Sequence, residues 1–594
     1  METVTLTIDG QPVTVEKGKT VLQAAIEHGF SVPYYCYHPA LGVDGSCRVC
    51  IVKIEKMAKL QTACSTICTD GMAVFTHTPD VVEARAGVFE FLLINHPLDC
   101  PVCDKGGECP LQDFSYEFGP DRSRMEFPRR VFDGEGVKAD VDFGPTLMLN
   151  RNRCILCTRC VRFMKEIDGD AQISIVDRGT GSEIATFQEE GVHSLLSGNL
   201  MDVCPVGAIT TRDYRFKSRP WDNPEAVDTI CTLCSKGCNT TAWIKAKPEW
   251  AKGARLVRIT PRLNHEVNGY WMCDIGRFDY RWIESEDRLR KPLVRDAAGA
   301  QPPVSWEQAL AAVTARHPEN GFTFLLSAHA SNEEMFLVLR LADQIALTWR
   351  ATPKVQPEGT RFTVPPVDAP NVNGARDLGL PVGAGNAGAP DISGLRREIE
   401  AGRLQALYVL SPGPEWSLGD VSWLIDARRS GSLPFLVYQG PVLTDLARVA
   451  DVVLPGSAWV EKDGTYTNDQ GRVQAAARVF APPPDVLDDS EILLRVAAAA
   501  GRPLPFTSAA DIRAALAEAL ADNPAYADVA RLVFARPVAA RNWLQSSNPS
   551  ERWKWDFMFQ DLAPVKFEWM PLHTAQKTII PLHPVPETPQ DESR

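Results

Sequence analysis

The 594-residue chain has no run approaching the roughly 18 apolar residues of a membrane-spanning helix, so no span is expected. Its opening, Met1-Glu2-Thr3, lacks the basic start and apolar stretch of a signal peptide, and the chain is expected to stay in the cytosol. Positive charge is in the minority. Against 75 aspartates and glutamates stand 62 lysines and arginines, and the net charge of -13 argues against nucleic acid or an anionic membrane surface as the main partner. Cysteine is missing from residues 274 to 594, although the chain holds 16. All of them fall between Cys36 and Cys273, and in a reducing compartment such crowding points to metal ligation before disulfides. The length exceeds what one core can organise, and a hydrophobic fraction of 44% is ordinary, so several folded domains are expected.

Fifteen cysteines and one histidine sort by spacing into four sets of four. The first set follows a hairpin over residues 3 to 15, turned at Asp9-Gly10, and a helix from Val21 to His28 capped by Thr20 and stopped by Gly29. It comprises Cys36, Cys47, Cys50 and Cys64, and resembles the plant-type [2Fe-2S] ferredoxin pattern with a longer first spacing of ten intervening residues. A zinc knot of four cysteines is the competing reading, and the β-grasp-like opening favours the cluster. Cys68 is left over and reads as a small buried hydrophobe.

A helix from Val81 to Ile94 leads into the second set: His96, Cys100, Cys103 and Cys109, with Gly106-Gly107 letting the backbone curl close. Zinc held by three cysteines and one histidine is again the rival, but the motif lies between two cluster motifs and resembles the histidine-ligated [4Fe-4S] site of complex I and iron-only hydrogenases. Residues 112 to 150 read as a surface bridge. The third set, Cys154, Cys157 and Cys160 with a distant Cys204-Pro205, is half of a two-cluster bacterial ferredoxin and supplies ligands for one [4Fe-4S] cluster. The fourth, Cys231, Cys234 and Cys238 with remote Cys273, resembles the [4Fe-4S] site that opens the large subunit of molybdopterin oxidoreductases. Lys236 and Gly237 lie in its loop, and Trp243 and Trp271 nearby are expected as core.

Beyond Cys273, strands expected at Phe322–Leu326, Ala406–Leu410, Phe435–Tyr438 and Asp451–Leu454 alternate with helical runs, one capped by Ser331 with Glu334 three residues on. Such alternation predicts a parallel sheet with helices on its faces. A Pro- and Gly-rich stretch from Pro353 to Pro390 reads as an extended connection. Further helices are expected over Asp489–Ala500 and Ile512–Leu520, a strand with one aromatic face over Trp553–Phe559, and a disordered tail from Pro581 to Arg594. The run from Leu454 to Gln474 resembles a molybdopterin oxidoreductase segment. No cysteine remains to bind molybdenum and the domain is short for two pterin dinucleotides, so no molybdenum is expected.

This order of motifs resembles the iron-sulfur subunits of respiratory complex I, the proton-pumping NADH-quinone oxidoreductase, a family with bacterial members and mitochondrial counterparts of 75 kDa. The resemblance implies an α+β N-terminal region followed by an α/β domain. Its parts are a β-grasp [2Fe-2S] ferredoxin-like domain (1–78), a histidine-ligated [4Fe-4S] domain (79–118), a ferredoxin-like [4Fe-4S] domain (119–220) and a molybdoenzyme-type [4Fe-4S] domain (221–290). A shortened molybdopterin-oxidoreductase-like domain without molybdenum (291–580) and the tail (581–594) complete the chain. It further implies electron transfer from a flavin- and NADH-binding subunit, through the Cys36, Cys154 and His96 sets, toward a two-cluster ferredoxin-like subunit, with the Cys231 set off the path. Other peripheral-arm subunits, a place on the cytoplasmic side of the plasma membrane and no direct membrane span are implied too. No acid-base catalytic group is singled out. The large subunit of a NAD-linked formate dehydrogenase or hydrogenase is the alternative, and a zinc-bearing scaffold a third, which would leave the protein colourless.

Overall fold

A computed structural model describes residues 2–132, 139–251, 253–316, 322–382, 390–536 and 538–539. The expected strand over Trp553–Phe559 and the expected tail lie outside the described residues.

Alternating apolar residues form the hairpin β1 (Thr3–Ile8) and β2 (Gln11–Glu16), whose turn uses positive φ at Asp9 and Gly10. Helix α1 (Val21–Glu27) begins with Thr20 and Gln23 in a capping box and buries Val21, Leu22, Ala24 and Ala25. With β3 (Ile51–Ile54), β4 (Gln61–Thr62) and β5 (Ala73–Phe75) the strands order β2-β1-β5-β3-β4, β1 and β5 being parallel, the β-grasp arrangement. Cys68 is buried in this core, and burial pushes its thiol up to about 11.

Helix α2 (Pro79–Ile94) is fixed to β3 by Arg85, which is 1% exposed and donates from Nε and Nη2 to the Ile51 carbonyl at 3.1 and 2.8 Å. Residues 112 to 150 are not merely a bridge. They finish α3 (Pro110–Phe118) and supply β6 (Asp140–Asp142) and β7 (Leu147–Asn150). The strands escaped the sequence reading because β6 is short and polar, and pairing rather than local pattern creates it. After α4 (Arg159–Phe163) come the hairpin β8 (Ile173–Val176) and β9 (Glu183–Thr186), α5 (Asn199–Val203) and β10 (Ile209–Thr211), which pairs with β7. A second sheet holds β11 (Glu225–Ile230), β12 (Asn239–Ile244) and β13 (Leu256–Pro261), followed by α6 (Asp274–Phe278). One continuous core joins residues from Tyr35 to Val364 and contains cysteines of the second, third and fourth sets; Cys47 of the first set packs against it, while Cys50 and Cys64 lie in the β-grasp core.

The C-terminal part is a doubly wound α/β domain. Strands β14 (Leu293–Val294), β15 (Phe322–Ser327), β16 (Ala342–Thr348), β19 (Ala406–Leu410), β20 (Phe435–Gly440) and β21 (Val452–Pro455) order β14-β21-β20-β19-β15-β16, all neighbours parallel except β14. Alternation along β19 feeds two layers. Tyr408 and Leu410 face α7 (Trp306–Thr314), α8 (Asn332–Leu341) and α13 (Asp489–Ala499), while Leu407 and Val409 face α10 (Ser393–Glu400), α11 (Ser422–Ser430) and α12 (Asp445–Val449). The capping box at Ser331 and Glu334 starts α8 as expected. Edge strand β16 was not foreseen, since Asp343 and Gln344 interrupt its apolar pattern where it faces water. The described part of the 353–390 stretch holds β18 (Val367–Asp368), paired with β17 (Arg350–Ala351), and α9 (Val372–Asp377), elements stabilised by tertiary contact. The hairpin β22 (Gly464–Thr467) and β23 (Val473–Ala476), helix α14 (Ala509–Ala519) and β24 (Val538–Ala539), which pairs with β11, complete the fold.

A buried ion cluster ties α8 and α13 to the connection between β21 and β22. Lys462 Nζ lies 2.5 Å from Glu334 Oε1 and 2.6 Å from Asp489 Oδ2, with no side chain of the three more than 3% exposed.

Candidate functional site

The four sets of candidate ligands sit on loops that secondary structure brings to fixed places. Cys36 follows α1, Cys47 and Cys50 precede β3, and Cys64 follows β4, so the β-grasp strands place all four at one end. Positive φ at Gly42, Gly45 and Arg48 bends the loop around them. The thiols are in mutual contact: Cys36 is held far below the ordinary thiol range by hydrogen bonds from Cys47 and Cys64, and Cys50 is lowered by Cys64. Cys47 and Cys64 are correspondingly pushed up.

In the second set His96 lies just past the end of α2, and Cys109 is the N-cap of α3 with Pro110 at its first turn. His96, Cys100, Cys103 and Cys109 ring a cavity of about 80 Å3. Among the described residues no three His, Cys, Asp or Glu side chains converge on a point, as a single ion would require. Burial, then Arg153, lowers His96 to about 4, keeping the imidazole neutral, which is the ligating form. Its Nδ1 is buried without a hydrogen-bond partner. Burial pushes Cys103 up and Cys109 up to about 12. An unpartnered nitrogen and thiols that resist ionisation fit a group whose cationic metal would draw off the thiol protons and accept the lone pair. Cys100 is exposed; the other fifteen cysteines are buried or partly buried.

The cradle is closed by glycines. Gly107 at φ +94 passes beneath Trp221, and a Cβ on Gly106 would stand 2.9 Å from the Cys100 carbonyl. A Cβ on Gly207, three residues past Cys204, would overlap Cys103 Sγ. Gly207→Ala is therefore expected to lower bound iron by about four atoms per chain through the second set while sparing the Cys154 set, read by iron analysis and paramagnetic resonance. Unchanged iron would mean that Cys103 yields without losing its role.

In the third set, left-handed residues Leu156 and Thr158 wrap the chain so that Cys154, Cys157 and Cys160 face Cys204, which caps the end of α5. They border a small cavity of about 20 Å3. Burial, with the neighbouring thiols adding to it, raises Cys154 to about 12 and Cys157 to about 11. In the fourth set Cys231, Cys234 and Cys238 occupy the loop between β11 and β12, where Cys231 N–H donates to the Cys238 carbonyl at 2.8 Å. Cys273 caps α6 and accepts from Gly276 N–H at 3.5 Å. All four are buried, and burial raises each thiol. Trp243 and Trp271 are both buried; Trp271 stacks on His38 at 5.7 Å and meets Phe163 edge-on at 4.9 Å.

Arginines that the motif reading passed over join the sets. Arg159, next to Cys160, donates to the Tyr37 carbonyl at 2.5 Å and the Val203 carbonyl at 3.4 Å, and Arg162 donates to the Cys36 carbonyl. Arg153, next to Cys154, bonds Asp99, next to Cys100, at 3.0 Å. Arg258 of β13 grips Glu108, next to Cys109, through two bonds of 2.8 and 3.0 Å, while Arg277 of α6 pairs with Asp202 near Cys204. Arg153 and Arg159 are signalled in the sequence by adjacency to a ligand, whereas Arg258 on β13 carries no such signal.

Comparison with known proteins gives four family matches. Residues 1–79 match the 2Fe-2S iron-sulfur cluster binding domain, and 85–124 the NADH-ubiquinone oxidoreductase-G iron-sulfur binding region. Residues 144–210 match the NADH-quinone oxidoreductase subunit 3 ferredoxin-like domain, and 366–499 the molybdopterin oxidoreductase family. The NADH-quinone oxidoreductase G subunit of Streptomyces coelicolor is 43% identical over 309 residues, 52% of this chain and 35% of that protein. Iron-sulfur protein 1 of the mitochondrial NADH dehydrogenase of Solanum tuberosum is likewise 43% identical, over 52% of this chain and 39% of its own. The aligned part thus spans little more than a third of these two relatives. The mitochondrial NADH-ubiquinone oxidoreductase 78 kDa subunit of Neurospora crassa is 30% identical over 87% of this chain and 83% of its own length.

Proposed function

The chain belongs to the family of the NADH-quinone oxidoreductase G subunits and the mitochondrial 75/78 kDa subunits, and on that footing we propose that it is an electron relay in the peripheral arm of a proton-translocating complex I. It holds one [2Fe-2S] cluster at Cys36, Cys47, Cys50 and Cys64, and [4Fe-4S] clusters at the His96, Cys154 and Cys231 sets. Such clusters, when bound, accept and release single electrons. The protein's own residues do the rest. Thiols and one imidazole hold the groups, a shared apolar core excludes water, and buried arginines fix one set against the next.

The observation that carries this reading is the contiguity of the sets: Arg159 ties the first to the third, and Arg153 ties the third to the second. That sequence of contacts is the one along which charge would travel from a flavin- and NADH-bearing subunit toward a two-cluster ferredoxin-like subunit and on to quinone. The fourth set is joined at the side, through Arg277 and Asp202. Among the described residues no helix is long and apolar enough to cross a membrane.

Iron analysis and paramagnetic resonance of the anaerobically purified chain test the proposal. About fourteen irons and four dithionite-reducible signals are expected, with no molybdenum. Zinc in place of iron, or no reducible signal, would sink it. Molybdenum near one atom per chain would favour the formate dehydrogenase reading.

A further inference from the structure

We propose that Arg153 is a positioning residue that sets the reduction potentials of two centres at once, those of the His96 and Cys154 sets. This rests on the cluster assignment just proposed and goes beyond it, since it gives a non-ligand side chain control over both.

Arg153 belongs by its backbone to the third set. Its amide hydrogen donates to Asn150 Oδ1 at 3.2 Å at the end of β7, and the next residue is Cys154. Its side chain leaves that set. The guanidinium reaches across to Asp99, the residue before Cys100, with Nε 3.0 Å from Oδ2, and is 7% exposed. It also lines the cavity ringed by His96, Cys100, Cys103 and Cys109, where it is the one basic side chain besides the histidine. A fixed positive charge therefore lines the cavity of the second set, with one carboxylate as its partner, on a residue whose backbone adjoins the first ligand of the third.

Other charges act on the same sets: Arg129 also bears on His96, and Arg159 and Arg162 bear on the Cys154 set, so the loss of Arg153 is felt most at the His96 set. Arg219 spends its guanidinium on the carbonyls of Cys103 and Pro101, and Arg129 donates to the His96 carbonyl from an exposed position. Asp99 offsets part of the Arg153 charge but approaches it from the second set alone. An added electron places negative charge in a site that screens poorly, and a buried cation within a few ångströms favours that reduced form by an amount comparable to a buried ion pair. Taking the cation away should lower both potentials, and neutralising Asp99 should raise that of the His96 centre.

The test is a redox titration of the full, iron-loaded chain followed by paramagnetic resonance, for R153Q, R153K and D99N. At the solution potential where each wild-type centre is half reduced, R153Q is expected to show a reduced-to-oxidised ratio about tenfold lower at the His96 centre and lower by a smaller factor at the Cys154 centre. R153K keeps the charge and should stay close to wild type, while D99N should move the His96 centre the other way. Unshifted potentials in R153Q with both signals present would overturn the proposal, as would a shift at one centre only. So would R153K moving as far as R153Q, since that marks a packing role. Where R153Q does not assemble, D99N decides: a rise supports the proposal and no rise overturns it. A wild-type chain without reducible signals would defeat the cluster assignment instead, so the two failures are distinguishable.

Discussion

An alanine at His96 leaves the chain about four irons short of its complement, because one of the four positions around the second cavity then offers no lone pair. The imidazole is half-buried and held neutral, and its Nδ1 has no protein partner to lose. Nothing in the surrounding loop can replace it. Gly106 and Gly207 carry no side chain, and Asp99 is engaged by Arg153. A cysteine at the same position should restore the iron but add a negative charge, making the centre harder to reduce than in wild type. Iron analysis reads the first effect and a redox titration the second. Full iron and an unaltered resonance signal in H96A would remove His96 from the ligand set.

Replacing Lys462 with methionine is expected to destabilise the α/β domain by ~3–5 kcal/mol, since two buried carboxylates lose their common cation. In the wild-type protein burial pushes Glu334 up and Lys462 pulls it back. Burial opposes the charge on Lys462, but Asp489 and Glu334 outweigh it and hold the ammonium protonated well above its usual range. Methionine matches the length of the stem and fills the space, which isolates the electrostatic loss from a cavity effect. Burial already holds Glu334 up to about 7 in the wild type, and the variant should strengthen the pH dependence of stability that follows from this. With no cation beside it, buried Glu334 binds a proton still more tightly in the folded than in the unfolded chain, so stability falls as pH rises above the unfolded carboxylate range. Urea unfolding at pH 5 and pH 8 reads this directly, with the larger deficit at pH 8. Equal deficits at the two values would show that the cluster is not held by charge.

Spacing alone named all sixteen candidate ligands, because loop-borne thiolates leave a pattern that survives without knowledge of the fold. The structure brings each four together, and element ends were legible too, at the Thr20 cap of α1 beside the first set and at the Ser331 capping box of α8 in the cysteine-free domain. The order of the parallel sheet could not be read, since β19 lies beside β15 only through contacts some eighty residues apart, and edge strand β16 shows the mixed pattern of a half-wet element. The arginines were beyond reach for the same reason. Arg159 finds its partner carbonyl 122 residues away, and Arg258 finds Glu108 at a separation of 150. A guanidinium beside a ligand, like Arg159, or on a distant strand, like Arg258, looks like any other charged residue until the fold shows where it points.

The apolar core that runs from Tyr35 to Val364 has a consequence for how this molecule ages. Parts that share one interior open together, so oxidative damage at the second, third or fourth site is felt as a loss of cohesion throughout that shared core, to which the β-grasp domain with its own interior is only docked. A chain that has lost a centre should then tend to unravel and be cleared rather than persist as a broken conductor, bringing partly reduced metal into contact with oxygen.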